Sequence, residues 1–335
     1  MLIGKQTWAF QNAPRVLATG TAVSQKEGKG PLGKDFDLIY KDPYVGQSSW
    51  EKAERKLLEQ AEEKAVEKAG VTMEDVSVII SGDLLPQNIT SNFAARTEGR
   101  PLLGVFSACA TSMQAVALAS LLVDTKAATY ALAAASSHNS TAERVFRYPT
   151  EYGAQKPPTA HYTVTGAGAA LIGLGATGPV ITHATIGKVN DFGVQNPWEM
   201  GAAMAPAAVD TIVQHLDDTG RKVSDYDLII TGDLARVGLP IAQELLTQRG
   251  IDPAGRFTDC GILLFTPDEP DVFSGGSGPG CCACVTFGHL LRRVAQGELK
   301  RILVVATGAL LSPISSQQNE TIPCIAHAVS FEYRG

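Results

Sequence analysis

One near-repeat constrains this chain more than any other feature. Val76-Ser-Val-Ile-Ile-Ser-Gly-Asp83-Leu84 returns about 150 residues later as Tyr226-Asp-Leu-Ile-Ile-Thr-Gly-Asp233-Leu234. Each copy is a continuous apolar run, the pattern of a strand buried on both faces. Each also follows a polar turn and an amphipathic helical stretch. The repetition continues downstream: a helix from about Cys109 leads to the strand Tyr130 to Ala135, and a helix from about Cys281 leads to the strand Arg301 to Ala306. Strands alternating with helices predict parallel β-α-β units with right-handed crossovers. The natural architecture is two α/β halves stacked on each other, joined near Ala176-Thr-Gly178-Pro179, so that residues 1–178 form one half and 179–335 the other.

Local signals agree. Ser48-Ser-Trp-Glu51 has the form of a capping box opening a helix, with Ala53, Leu57, Ala61 and Ala65 on its apolar stripe, Lys and Glu on a solvated face, and Gly70 at its end. In the second half, Ala203 to Leu216 plays the same part and Gly220 closes it. Thr141 to Tyr162, with Arg144, Arg147, Tyr148, Tyr152 and Lys156, has no sustained periodicity. It is expected as an excursion over the pocket or a dimer interface.

The bulk chemistry narrows the function. With 335 residues, 44% hydrophobic and 19% charged, the chain can bury a large core. A net charge of −6 without a basic, aromatic stripe argues against nucleic acid as a partner. Met1 to Trp8 has no secretory pattern, so synthesis in the cytoplasm is expected. The most apolar stretch, Met113 to Val123, is too short to span a bilayer, so any membrane attachment is peripheral. Six cysteines in such a chain read as reduced thiols. Cys281, Cys282 and Cys284 lack a second Cys or His pair at zinc spacing and read as small buried helix residues, so no metal site is predicted.

Gly104-Val-Phe-Ser107-Ala-Cys109-Ala-Thr111-Ser112 is a strand running into a turn and a small-residue helix. Cys109 is expected in that helix's first turn, where free N–H groups and the dipole favour a thiolate or a ligand's anionic group. This motif resembles the nucleophile turn of the thiolase and β-ketoacyl synthase superfamily. The Gly166-Ala-Gly168-Ala-Ala-Leu-Ile strand resembles the one closing that superfamily's first half. The resemblance implies a thiolase-like duplicated fold layered α/β/α/β/α, and a homodimer. The opening Gly4-Lys-Gln-Thr-Trp8, the Gly-Lys-Gly-Pro-Leu-Gly33 turn, Ser81-Gly-Asp-Leu-Leu85 and Ile322-Pro-Cys-Ile-Ala-His327 further resemble the stage V sporulation protein AD family. That likeness implies association with the spore inner membrane and a role in handling dipicolinic acid, pyridine-2,6-dicarboxylate.

Condensing enzymes need a thiolate with His and Asn, or two His, to stabilise the thioester oxyanion. The superfamily places them after the second-half strand and in a second-half Gly-rich turn. Here those stations read Gly232-Asp233-Leu-Ala-Arg236-Val-Gly238 and Ser274-Gly-Gly-Ser-Gly278-Pro-Gly280, with neither residue. Removing one oxyanion donor costs roughly 10²- to 10³-fold in rate, so the sequence leans against a condensing enzyme. If chemistry persists, Cys109 would be its nucleophile, with His327 or Cys324 moving protons.

The leading expectation is non-catalytic binding of dipicolinic acid or its calcium chelate, supporting uptake into the developing spore and release at germination. Asp83, Ser107, Cys109, Thr111, His138, Asp233, Arg236 and His327 are the candidate contacts. Asp83 and Asp233 also admit a reading as turn and cap residues, and His327 one as a core histidine. His138 follows a parallel strand at its ligand-binding end; His289 reads as structural. No cofactor is expected, calcium entering only as the ligand's chelate. The rivals are acyl transfer through Cys109 and a structural scaffold working with other proteins of a spore membrane transport assembly.

Overall fold

The computed structural model describes residues 1–146, 156–253 and 255–334. Ten strands and seven helices position the site. In the first half these are β1 (Arg15–Ser24), α1 (Trp50–Ala69), β2 (Val78–Gly82), α2 (Ile89–Glu98), β3 (Leu102–Gly104), α3 (Thr111–Asp124), β4 (Tyr130–Ser137), α4 (Asn139–Phe146) and β5 (Gly166–Gly173). The second half comprises β6 (Val180–Thr185), α5 (Met200–Thr219), β7 (Leu228–Thr231), α6 (Ala235–Gln248), β8 (Phe257–Asp259), α7, β9 (Arg301–Ala309) and β10 (Cys324–Glu332). Helix α7 starts as Pro279–Cys284, widens into a π-helical stretch at Val285–Leu290, and ends as Leu291–Ala295.

The strand order makes the duplication explicit. Across the sheet it runs β8-β7-β9-β10-β6-β1-β5-β4-β2-β3, so each half arranges equivalent strands alike and the two meet where Val180 pairs with Arg15. Among these ten strands, parallel pairing is confined to the repeat strands and their neighbours: β2 with β3 and β4, and β7 with β8 and β9. The strands closing each half are antiparallel, β5 to β1 and β4 and β10 to β9 and β6. The architecture is therefore mixed, where the alternation of elements alone predicts parallel units. Helix α3 packs on β4 and β2 and reaches across to β9 and β10, while α7 packs on β5 and β4 of the other half. These two helices form the middle layer, with α1 outside one set of strands and α5 outside the other. The thiolase-like layering is present.

Local chemistry explains the outer helices and corrects two expectations. Gly70 and Gly220 end α1 and α5 in left-handed conformations, φ 71° and 65°. The α1 N-cap is Ser49, whose hydroxyl accepts from the Lys52 N–H, so the anticipated Ser48/Glu51 box does not form and Glu51 pairs with Arg144 at 2.7 Å. Ala53, Leu57, Ala61 and Ala65 are fully buried, but so are Glu54 and Glu62, with Glu59 close behind. Helix α1 is covered by α2 and α4 as well as by its sheet, so its second face is not solvated. The excursion after Thr141 opens as α4; its central part, with Arg147, Tyr148 and Tyr152, lies outside the described residues.

No described helix is long and apolar enough to cross a membrane. Cys281, Cys282 and Cys284 are buried in α7, and the thiols of Cys281 and Cys284 face the backbone carbonyls of Gly232 and Ala167. His289 bonds Asp35 at 2.6 Å.

Candidate functional site

The site begins with a strained turn. Ala108 adopts φ 47°, a left-handed conformation that alanine rarely takes. The turn is held from within: Thr111 Oγ1 donates to the Ala108 carbonyl at 2.7 Å and accepts from the Ser107 N–H at 3.1 Å. Strand β9 passes so closely that a Cβ on Gly308 would lie 2.3 Å from the Ser107 carbonyl oxygen. Helix α3 starts at Thr111 with Ala110 as its cap, so Cys109 precedes the helix instead of occupying its first turn.

Across the junction of the halves, Asp233 faces Cys109. Its carboxylate accepts from Thr307 Oγ1 at 2.5 Å and from the Gly278 N–H at 3.3 Å, and its charge bears on the Cys109 thiol. Burial pushes the Asp233 carboxyl up to about 7 despite these bonds. Burial first, and the Asp233 charge second, push the Cys109 thiol well above its ordinary range. The expectation of a favoured thiolate is thus overturned: desolvation and a neighbouring carboxylate outweigh the helix terminus, and the proton stays on sulfur.

Cys109 lines a cavity of about 310 Å³. Leu84, Phe106, Phe146, Trp198, Met200 and Leu311 give it an apolar wall, and Thr163, Ser277 and Ser316 supply hydroxyls. Among the described residues lining it there is no Lys, Arg or His. The cavity draws on both halves and lies at the carboxyl ends of β2 and β9, the usual ligand-binding side of such sheets.

Of the eight candidate contacts, Cys109 alone is among the described lining residues. Asp233 stands behind it, and the Thr111 hydroxyl is spent on the turn. Ser107 Oγ meets His327 Nε2 at 3.1 Å, and the Gly187 N–H donates to His327 Nδ1 at 3.3 Å. Nδ1 therefore accepts, Nε2 carries the proton and donates to Ser107, and burial lowers the ring's pKa to about 4. His327 is a neutral brace on the cysteine turn. Cys324 is buried, its thiol directed at the Ile322 carbonyl and pushed up to about 12. Asp83 folds back on its own half, accepting from the Leu85 N–H at 3.0 Å and from the Ser91 N–H and hydroxyl at 2.9 and 2.8 Å. His138 uses both ring nitrogens on the Pro43 carbonyl and the Ser140 N–H. Arg236 clamps the Phe265, Phe273 and Ser274 carbonyls. Asp83, His138 and Arg236, offered by the sequence as contacts, each find hydrogen-bond partners outside the described cavity wall.

Sequence reasoning missed Thr307, which orients Asp233, and the Trp198/Met200 wall. Thr307 stands near the carboxyl end of a buried strand, the signal that singled out His138. Trp198 lies in an irregular stretch with no pattern to mark it.

The fold is thiolase-like. Its solved neighbours include 3-oxoacyl-[acyl-carrier-protein] synthase III from Aquifex aeolicus VF5, at TM-score 0.60 and 15% identity over 96% of this chain and 100% of that one. Cerulenin-bound OleA from Xanthomonas campestris aligns at TM-score 0.60 and 17% identity over 97% and 98%. Within that fold the chain belongs to the stage V sporulation protein AD (SpoVAD) family, which it matches over residues 4–332. It is 53% identical over 334 residues to stage V sporulation protein AD of Bacillus subtilis (strain 168), covering 100% of this chain and 98% of that protein.

Proposed function

We propose that this sporulation-family protein binds dipicolinic acid non-catalytically, in the Cys109 cavity and as the neutral calcium chelate, in support of its uptake into the developing spore and its release at germination. The observation that carries the non-catalytic reading is the Cys109–Asp233 pair. A thiol that keeps its proton against a carboxylate is a poor nucleophile, and the described cavity wall offers no cation to stabilise an oxyanion. The same wall favours the chelate over the free acid. A dianion would enter an apolar cavity without a countercharge and with Asp233 behind it, which is costly. Calcium cancels the ligand's charge, prefers hard oxygen donors and turns Asp233 from repulsive to attractive.

Calorimetry with dipicolinate, with and without calcium, tests this. The chelate should bind saturably at one site per chain, and Ala142→Trp, which fills the cavity wall, should weaken it at least about tenfold, or 1.4 kcal/mol. Absence of saturable binding, or binding indifferent to Ala142→Trp, would sink the proposal. The apolar lining favours acyl transfer as the second reading; a covalent acyl adduct on Cys109 by mass spectrometry, after incubation with acyl thioesters, would establish it.

The protein is further proposed to act at the spore inner membrane, peripherally and with other proteins of a transport assembly, as a homodimer. Edge strand β3 and its surroundings expose Leu103, Phe106, Ile89 and Phe93, between 40% and 50% each, an apolar patch suited to a second copy. Light scattering should find Leu103→Arg monomeric; an unchanged dimer would move the contact elsewhere.

A further inference from the structure

A second cavity, of about 440 Å³, lies where β1 meets the far end of α7. It is separate from the Cys109 cavity, with which it shares no lining residue. Two backbone irregularities converge on it. The register of β1 against β5 slips between Val16 and Ala18, and Leu17 lines the cavity at that slip. Opposite it, the π-helical stretch brings Phe287 and Gly288 to the wall, with Thr19 Oγ1 donating to the Phe287 carbonyl at 2.9 Å. Bulges and π-helical turns interrupt regular bonding and recur at binding sites.

The cavity is electrostatically uneven. Asp35 pairs with Arg292 and is hydrogen-bonded to His289, and Asp37 pairs with Lys68 at 2.9 Å and accepts from the Thr21 N–H and hydroxyl. Lys34, also on the wall, pairs with no acid among the described residues. A protein of net charge −6 thus keeps a local cationic surplus beside apolar side chains of Leu17, Phe36, Phe287 and Leu291.

We propose that this cavity binds a small organic anion, a carboxylate or phosphate monoester on a compact apolar body, with the anionic head at Lys34 and the body against Leu17 and Phe36. The head pairs with the exposed Lys34 ammonium, and the body rests on the half-buried Leu17 at the register slip and on the rim of the buried Phe36.

Titration of the full chain at low salt with 1-naphthoate, 1-naphthyl phosphate, inorganic phosphate and neutral 1-naphthalenemethanol tests the site and separates the two head groups. At least one naphthyl anion should bind one per chain, at least about tenfold tighter than inorganic phosphate and the alcohol. Lys34→Met and Ala295→Trp, both at exposed positions on the wall, should each weaken it about tenfold or more, whereas Ala142→Trp at the Cys109 cavity should leave it unchanged. Urea unfolding confirms that the variants are folded. No binding by either anion, equal binding of the alcohol or of inorganic phosphate, indifference to both wall variants, or loss with Ala142→Trp would each overturn the proposal.

Discussion

Replacing Glu54 by glutamine should flatten part of the protein's pH–stability profile. Glu54 is fully buried in α1, where its carboxyl accepts from Thr141 Oγ1 at 2.7 Å and Ser136 Oγ at 3.2 Å. Burial, and then the nearby Asp83 charge, push its pKa up to about 8 from an ordinary 4.5. The folded protein therefore holds a proton that the unfolded chain releases. Stability from this group is complete below the unfolded pKa and is lost as pH rises toward 8, at about 1.4 kcal/mol per pH unit in between. Between pH 5 and pH 8 that amounts to about 4 kcal/mol for this carboxyl. Urea unfolding of wild type and Glu54→Gln across that range is the assay. Glu98 and Asp233, each raised to about 7, and Asp259, raised to about 6, contribute slopes of the same sign, so the difference between the two proteins is what matters. Glutamine matches the protonated acid in shape, so the two should be similar at pH 5, with Glu54→Gln the more stable by several kcal/mol at pH 8. Parallel curves would refute the reasoning. The effect bears on the site because Thr141 belongs to α4, whose Ala142 and Phe146 wall the Cys109 cavity.

Two further predictions concern the cysteine turn. Asp233→Asn removes the charge that opposes the thiolate, so alkylation of Cys109 by iodoacetamide at pH 8 should accelerate at least about tenfold, one pKa unit's worth; an unchanged rate would show that burial alone controls the thiol. Gly308→Ala places a Cβ where only 2.3 Å separates it from the Ser107 carbonyl, so urea unfolding should register a loss of about 1–3 kcal/mol, the usual cost of overpacking, and wild-type stability would mean that β9 yields freely.

Part of this protein was legible locally. The twin apolar runs require strands shielded on both faces, and a strand so shielded needs helices above and below it; duplication and layering follow. Gly70 and Gly220 announce helix ends because a left-handed residue there favours glycine whatever the surroundings. The Cys109 turn marks the cavity because its small residues and sharp geometry are sequence-local. The closing strands' antiparallel direction and the burial of Glu54, Glu59 and Glu62 were not legible, since both depend on what packs against an element from elsewhere in the chain. The clearest case is the pair of aspartates that ends the repeated motif. Asp83 turns back to Ser91 eight residues on, while Asp233 crosses the junction of the halves to hold the proton on Cys109. The sequence determined that both acids stand at strand ends. Only the docking of one half on the other decided which of them meets the cysteine, because that contact exists solely between residues more than a hundred positions apart.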